Sequence, residues 1–201
     1  APRTIVMSGK IAGPQWAAAS DSARNELVTW AVGDFGEPFE LWFSSRSAGG
    51  SWSEPAKLYT GDKQIISPAV AIGKDGNAIV TWQEWVTRLA SSSYSFKTGV
   101  WSEPLTITLE PSVENGAVTF NEAGTALAYF HRKSASDDSA EQRTQLLNGA
   151  WSAPEAIPIA EADGNEYSVA AGTDGLVVTP LHPRAGQLVP PAVTRPWCEG
   201  Y

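Results

Sequence analysis

Gly50-Ser51-Trp52-Ser53-Glu54-Pro55 decides how the rest of the chain is read, because it returns as Val100-Trp101-Ser102-Glu103-Pro104 and as Ala150-Trp151-Ser152-Ala153-Pro154. A fainter copy, Pro196-Trp197-Cys198-Glu199-Gly200, follows further on. The four tryptophans stand 49, 50 and 46 residues apart. Self-similarity at such a period is the mark of a repeat architecture rather than of one irregular core.

Working outward from the motif, the repeat holding Trp101 reads as a four-stranded meander. Ser67 to Ile72 is a short apolar strand, Gly73-Lys74-Asp75-Gly76-Asn77 is a hairpin turn, and Ala78 to Trp82 is a β-branched strand. A long polar connection, Gln83 to Ser92, then leads to the alternating Ser93-Tyr94-Ser95-Phe96, and Leu105 to Leu109 closes the unit. The second-strand segment recurs as Asn25 to Trp30, Gly76 to Trp82, Gly124 to Phe130 and Gly175 to Leu181. First strands recur as Pro14 to Ala19, Pro68 to Ile72, Gly116 to Phe120 and Tyr167 to Ala171. Third strands fall near Phe39 to Ser44, Ser93 to Phe96, Gln142 to Leu147 and Gln187 to Thr194, with room for a few residues of helix between Ala135 and Arg143.

Four-stranded units at this spacing are the pattern of β-propeller blades. The expectation is an all-β propeller of four roughly 50-residue blades in one domain, 1–201, with blades at about 8–60, 61–109, 110–159 and 160–201. Residues 2–7 align with a fourth strand and arrive before any first strand of their own, so they are expected to complete the last blade. Such a unit closes as a four-bladed ring, or forms an arc or half of a larger ring that a homo-oligomer completes.

Composition narrows the partners. A net charge of -8 and no basic run argue against nucleic acid. No window of 18 apolar residues exists, so membrane insertion through a helix is not expected. The single cysteine, Cys198, excludes an intramolecular disulfide framework and every multi-cysteine metal site. No Walker-type loop, G-x-S-x-G or H-E-x-x-H is present, and neither a cofactor nor a metal is expected. A chain that starts at Ala1 without an initiator Met or signal pattern reads as secreted or extracellular, periplasmic included, or as a domain of a larger secreted protein.

The turn before Trp52, Ser45-Arg46-Ser47-Ala48-Gly49-Gly50-Ser51-Trp52, resembles a degenerate Asp box, the S-x-D-x-G-x-T-W turn of sialidase-like (bacterial neuraminidase repeat) propellers. Ser47 stands where that family has Asp and Ser51 where it has Thr, and the later copies keep the Gly and Trp alone. The resemblance implies that Trp52, Trp101 and Trp151 pack between blades on the face away from the ligand. It places ligands on the opposite rim, at the loops 31–38, 83–92, 131–141 and 182–186 and at 8–13, 60–66, 110–115 and 160–165. Sialidase chemistry would need an arginine triad, a tyrosine nucleophile paired with glutamate, and an aspartic acid/base. Arg88, Arg132 and Arg184 stand on that rim, but the family's F-R-I-P segment is missing and family enzymes carry six blades.

Two groups of rim residues carry the candidate chemistry. His131 and His182 occupy the same repeat position, so with Arg132 they are the candidate catalytic residues, as a general base pair or as metal ligands needing a third partner such as Glu141, Asp137 or Glu161. Trp85, with Gln83, Glu84 and Arg88 beside it, is the stacking and hydrogen-bonding set that sugar binding uses; His131, His182 and Arg184 extend this ligand-binding list. Asp21, Asp75 and Asp174 lie in first-to-second strand turns and read as structural. The preferred reading is a non-catalytic, lectin-like propeller whose rim loops and inter-blade clefts bind a glycan or glycoprotein. The alternatives are a glycan-active hydrolase or lyase of sialidase-like fold, and a protein-interaction scaffold.

Overall fold

The structure, a computed structural model, describes residues 15–33, 38–85, 88–109, 113–132, 140–157, 167–172, 175–180 and 192–193. Among these there is no helix; the described chain is all-β. Its strands fall into four consecutive sheets. The first contains β1 (Trp16–Ser20), β2 (Glu26–Val32), β3 (Phe39–Arg46) and β4 (Ala56–Gly61) in chain order, all antiparallel. The second contains β5 (Ile65–Ile72), β6 (Asn77–Glu84) and β7 (Arg88–Ser95), whose outer edge pairs with both β8 (Val100–Trp101) and β9 (Leu105–Thr108). The third repeats this with β10 (Val113–Phe120), β11 (Ala126–Arg132), β12 (Ala140–Leu147), β13 (Ala150–Trp151) and β14 (Glu155–Ala156). The fourth contains β15 (Tyr167–Gly172), β16 (Gly175–Pro180) and β17 (Ala192–Val193).

Local chemistry explains the hairpins. In the turns joining first to second strands, a short polar side chain accepts from a backbone amide further along. Asp21 Oδ1 takes the Asn25 N–H at 2.8 Å, Asp75 Oδ1 the Asn77 N–H at 3.2 Å, and Asn121 Oδ1 the Thr125 N–H at 2.9 Å. The structural role expected of Asp21 and Asp75 is therefore met by these Asx-type bonds; Asp174 lies outside the described residues. Gly76 and Gly124 supply the positive φ of their turns, at 74° and 80°, which a residue with a Cβ reaches at a cost.

The sheets stack face to face, and strand alternation assigns each face. Ala78, Val80 and Trp82 of β6 join Leu27, Ala31 and Leu41 of the first sheet in one core. Ile79 packs the opposite way, with Val118 and Ala126 of the third sheet, while Leu89 and Ile107 join Val113, Ala128 and Phe130. The second sheet is thus covered on both sides, which is why β6 is buried almost throughout. The first strands β1, β5, β10 and β15 pack one against the next in series.

The repeated Trp-Ser pair has two separable jobs. Trp101 lies between the first and second sheets, its ring centroid 4.9 Å from those of Phe43 and Tyr94. Trp151 lies between the second and third sheets and its Nε1 donates to Ser91 Oγ at 2.8 Å. Trp52 carries the Arg46 guanidinium 5.4 Å from its ring centre. The serine after each tryptophan fastens the returning chain to the third strand of its sheet. Ser53, Ser102 and Ser152 Oγ accept from the backbone N–H of Ser45, Ser93 and Gln145 at 3.0, 3.0 and 3.2 Å. In return Ser44, Ser92 and Thr144 hydroxyls donate to the carbonyls of Ser53, Ser102 and Ser152 at 2.8, 2.8 and 2.7 Å.

Three boundaries differ from expectation. The connection drawn from Gln83 to Ser92 is mostly strand: β7 starts at Arg88, and Leu89 to Ser92 are buried. Serines 91 and 92 look like loop in sequence, but here they are small residues under a tryptophan and a turn, with hydroxyls bonded to Trp151 and Ser102. The loop 110–115 likewise gives way to β10 from Val113, and the helix allowed near 135–143 gives way to β12 from Ala140. Residues 2–7, expected to complete a blade, lie outside the described residues.

Candidate functional site

Register places Val32, Phe39, Gly61, Ile65, Glu84, Arg88, Val113 and Arg132 at one end of the sheets, opposite the Trp-Ser turns. At this end a polar cluster bridges the first and second sheets. Glu84 and Arg88 are the register pair that closes the β6–β7 hairpin, so their side chains share the face turned toward the first sheet. Arg88 Nε and NH2 both donate to Glu84 Oε1, at 2.8 and 2.7 Å, and NH2 also donates to the Tyr59 hydroxyl of β4 at 2.7 Å. The guanidinium carbon lies 5.6 Å from the Tyr59 ring centre, and that ring rests 5.2 Å from Trp82 in the core below.

The electrostatics of this cluster are closed. Glu84 is 5 % exposed. Burial, and then the hydrogen bond that the Tyr59 hydroxyl gives to Glu84, raise the Tyr59 phenol above its usual value, so it stays neutral. Burial works against the Arg88 charge, but the bond to Glu84 outweighs it and the guanidinium is held more firmly protonated.

Trp85 follows Glu84 directly and is 52 % exposed. Its backbone N–H donates to the Gln64 carbonyl at 2.8 Å, which ties this turn to the connection entering β5. Gln83 faces the other way: it is buried, and Nε2 donates to the Val113 carbonyl at 2.6 Å, bridging the second and third sheets. Of the four residues expected to line one sugar site, Glu84 and Arg88 are joined in one cluster, Gln83 serves the contact with the third sheet, and Trp85 follows Glu84 in the turn.

The histidine site is only partly described. His131 and Arg132 end β11 at the same rim, both half-buried. Arg132 shares the face of Phe130 and Ala128, toward the second sheet, and His131 takes the opposite face. Register sets Glu114 of β10 and Glu141 of β12 directly opposite His131; Glu141 is one of the partners the sequence offered for it, and Glu114 is not. His182 and Arg184 lie outside the described residues, as do Asp137 and Glu161. Among the described residues no three His, Cys, Asp or Glu side chains form a metal-holding group. Tyr59 was missed at the sequence level.

The sequence matches no protein-family model and no curated protein. Solved structures do resemble it. A Hadza microbial sialidase superposes with a TM-score of 0.59 at 15 % identity over 82 % of this chain and 41 % of that one. A protein of unknown function from Dyadobacter fermentans gives 0.57 at 14 %, over 82 % and 60 %. An ulvan lyase of polysaccharide lyase family PL25 gives 0.53 at 11 %, over 80 % and 50 %. The fold is β-propeller-like. At these identities the likeness is one of fold, and the chain spans about half the length of the structures it matches.

Proposed function

We propose that this chain forms the glycan-binding rim of a carbohydrate-active hydrolase or lyase, with its four sheets acting as blades of a sialidase-like propeller. The observation that carries the reading is Trp85, an aromatic side chain half open to solvent at the turn that follows Glu84, whose neighbours Glu84, Arg88 and the Tyr59 hydroxyl are already fixed to one another. Sugars present C–H faces that stack on such rings, and their hydroxyls pair best with groups that need no ordering on binding. The activities named for the superposed sialidase and ulvan lyase favour a catalytic role over a purely lectin-like one. In this reading the degenerate Asp boxes are structural turns, the protein works outside the cytoplasm, and a second copy completes the ring where one chain does not. His131, with His182 and Arg132, is the candidate acid/base group.

A non-catalytic lectin is the second reading, favoured by the closed state of the cluster. A tyrosine raised away from ionisation and an arginine committed to a buried glutamate hold a shape but are not primed for nucleophilic attack. A panel of polysaccharides, scored both for retention and for new reducing or unsaturated ends, tests the proposal. Retention with product, both lost in Trp85→Ala, is the expected outcome; retention without product on any glycan supports the lectin, and no retention sinks both.

A further inference from the structure

We infer that the outward face of the first sheet is a second glycan contact, one that helps to hold long chains. Its ligand class rests on the glycan reading above, but its residues are others. Register sets Trp16 of β1 opposite Trp30 of β2, and Trp30 opposite Trp42 of β3. Cross-strand partners share a face, so the three tryptophans form one row across the strands. Leu27, Ala31 and Leu41, which alternate with Trp30 and Trp42, pack toward the second sheet, and the row therefore faces the other way. Trp16 is 55 % exposed, and Ala18 and Ser20 on the same face of β1 are exposed as well. Trp30 is buried and Trp42 half-buried. The Trp42 indole is fixed in place, because Nε1 donates to Glu40 Oε2 at 2.9 Å and Lys57 Nζ holds Glu40 Oε1 at 2.7 Å.

The row is peculiar to this sheet. The residue opposite Trp82 on β7 is Ala90, and the residues opposite Phe130 are Asn115 and Gln142. Ala90 is fully buried where the second sheet presses on the first. A sheet stacked as closely on the outward face would have to clear an indole where Ala90 has a methyl group, so this face is not shaped to receive a further sheet in the same way. It suits a flat, extended ligand. Trp16 and Trp42 stand two strand spacings apart, about 9–10 Å, roughly the length of two linked hexoses, whose C–H faces stack on such rings. The strand carrying Trp16 is also tied to the connection that holds the Trp85 turn: Ser67 N–H donates to Gln15 Oε1, and Trp85 N–H to the Gln64 carbonyl at 2.8 Å. A chain long enough to reach both gains a second contact that counts as intramolecular, although the row alone is too weak to retain it.

The test measures binding of the wild type, Trp16→Ala and Trp16→Phe to xylan, arabinan, galactan and polygalacturonate, each as the polymer and as its disaccharide. For the polymer that the wild type retains, Trp16→Ala should bind about tenfold more weakly, the scale of one well-placed aromatic contact. Trp16→Phe should recover most of that loss. Disaccharide binding and Tm should stay unchanged, because Trp16 is an exposed side chain outside the Trp85 turn. Polymer binding by Trp16→Ala equal to that of the wild type overturns the inference and leaves the glycan reading standing. An equal loss for polymer and disaccharide also overturns it, since Trp16 would then belong to the primary contact. So does a wild-type dimer, seen by sedimentation, that Trp16→Ala dissociates, because the face would then join two copies of the chain. A wild type that retains none of these glycans sinks the glycan reading and the inference with it.

Discussion

Trp101 and Trp85 are both tryptophans in a connection of the second repeat, and they give opposite results on replacement by alanine if the assignment of scaffold and ligand ends is right. Trp101 touches Phe43 across the sheet contact and Tyr94 on its own sheet, both at 4.9 Å between ring centres. Loss of a buried large aromatic costs about 3–5 kcal/mol, of which each ring pair accounts for about 0.5–1.5. Trp101 is half-buried, which sets the expectation at the low end, about 3 kcal/mol. Its indole nitrogen has no hydrogen-bond partner among the described residues, so no partner is orphaned by the change. For a chain of this length that corresponds to a fall in Tm of roughly 6–12 °C. Trp85, at 52 % exposure, should cost no more than about 0.5 kcal/mol in stability and should abolish glycan retention. Urea denaturation followed by circular dichroism, with retention measured on the same samples, reads both effects. A Trp101→Ala protein that loses less than about 1 kcal/mol, or a Trp85→Ala protein that unfolds as easily as Trp101→Ala, would refute the division.

Other consequences can be checked in the same way. Ser102→Ala removes the acceptor of the Ser93 amide at 3.0 Å and should cost about 1–2 kcal/mol; paired with Ser92→Ala the losses should fall short of additive, because both belong to one stitch. Gln83→Ala breaks the bond to the Val113 carbonyl and should cost about 1–3 kcal/mol while leaving the glycan retention that depends on Trp85 intact, a separation visible by comparing denaturation with binding. Glu40 is held below its usual 4.5 by hydrogen bonds from Lys57 and then Trp42. A lowered folded-state value contributes stability that is present above about pH 4.5 and lost as pH falls through the folded value, so wild type and Glu40→Gln should converge on acidification through that window. A stability difference that stays constant with pH would contradict the pairing.

The sequence made the sheets legible because the spacing of Trp52, Trp101 and Trp151 locks the register of each repeat, and because the Asp21 and Asp75 turns announce their hairpins. What it hid follows from a single physical fact: in a sheet covered on both faces, burial no longer alternates with polarity. Serines 91 and 92 are buried, yet they read as loop, so the extent of β7 and the shortness of the rim turn before it were missed. Tyr59 was invisible as a site residue for a different reason. It stands 25 residues from Glu84, in another sheet, and only stacking brings its hydroxyl to Arg88. Glu114 was hidden in the same way, since register rather than sequence distance makes it a neighbour of His131.

The repeat itself argues for where function belongs. Trp30, Trp82 and Phe130 are equivalent positions two residues before the rim end of β2, β6 and β11, and all three are buried aromatics, as a shared packing demand requires. Two residues further on, at the last position of the same strands, the chain places Val32, Glu84 and Arg132. One geometric position therefore carries an apolar, an acidic and a basic side chain in three successive sheets. The next residue is Gly33 in the first sheet, where an added Cβ would fall 2.2 Å from the Phe39 ring, and the exposed Trp85 in the second. A stack needs sameness where sheets press together and places no such demand where they end. The divergence at this rim is concentrated in residue types that bind or exclude ligands, so a ligand seated there would meet a different surface at each sheet.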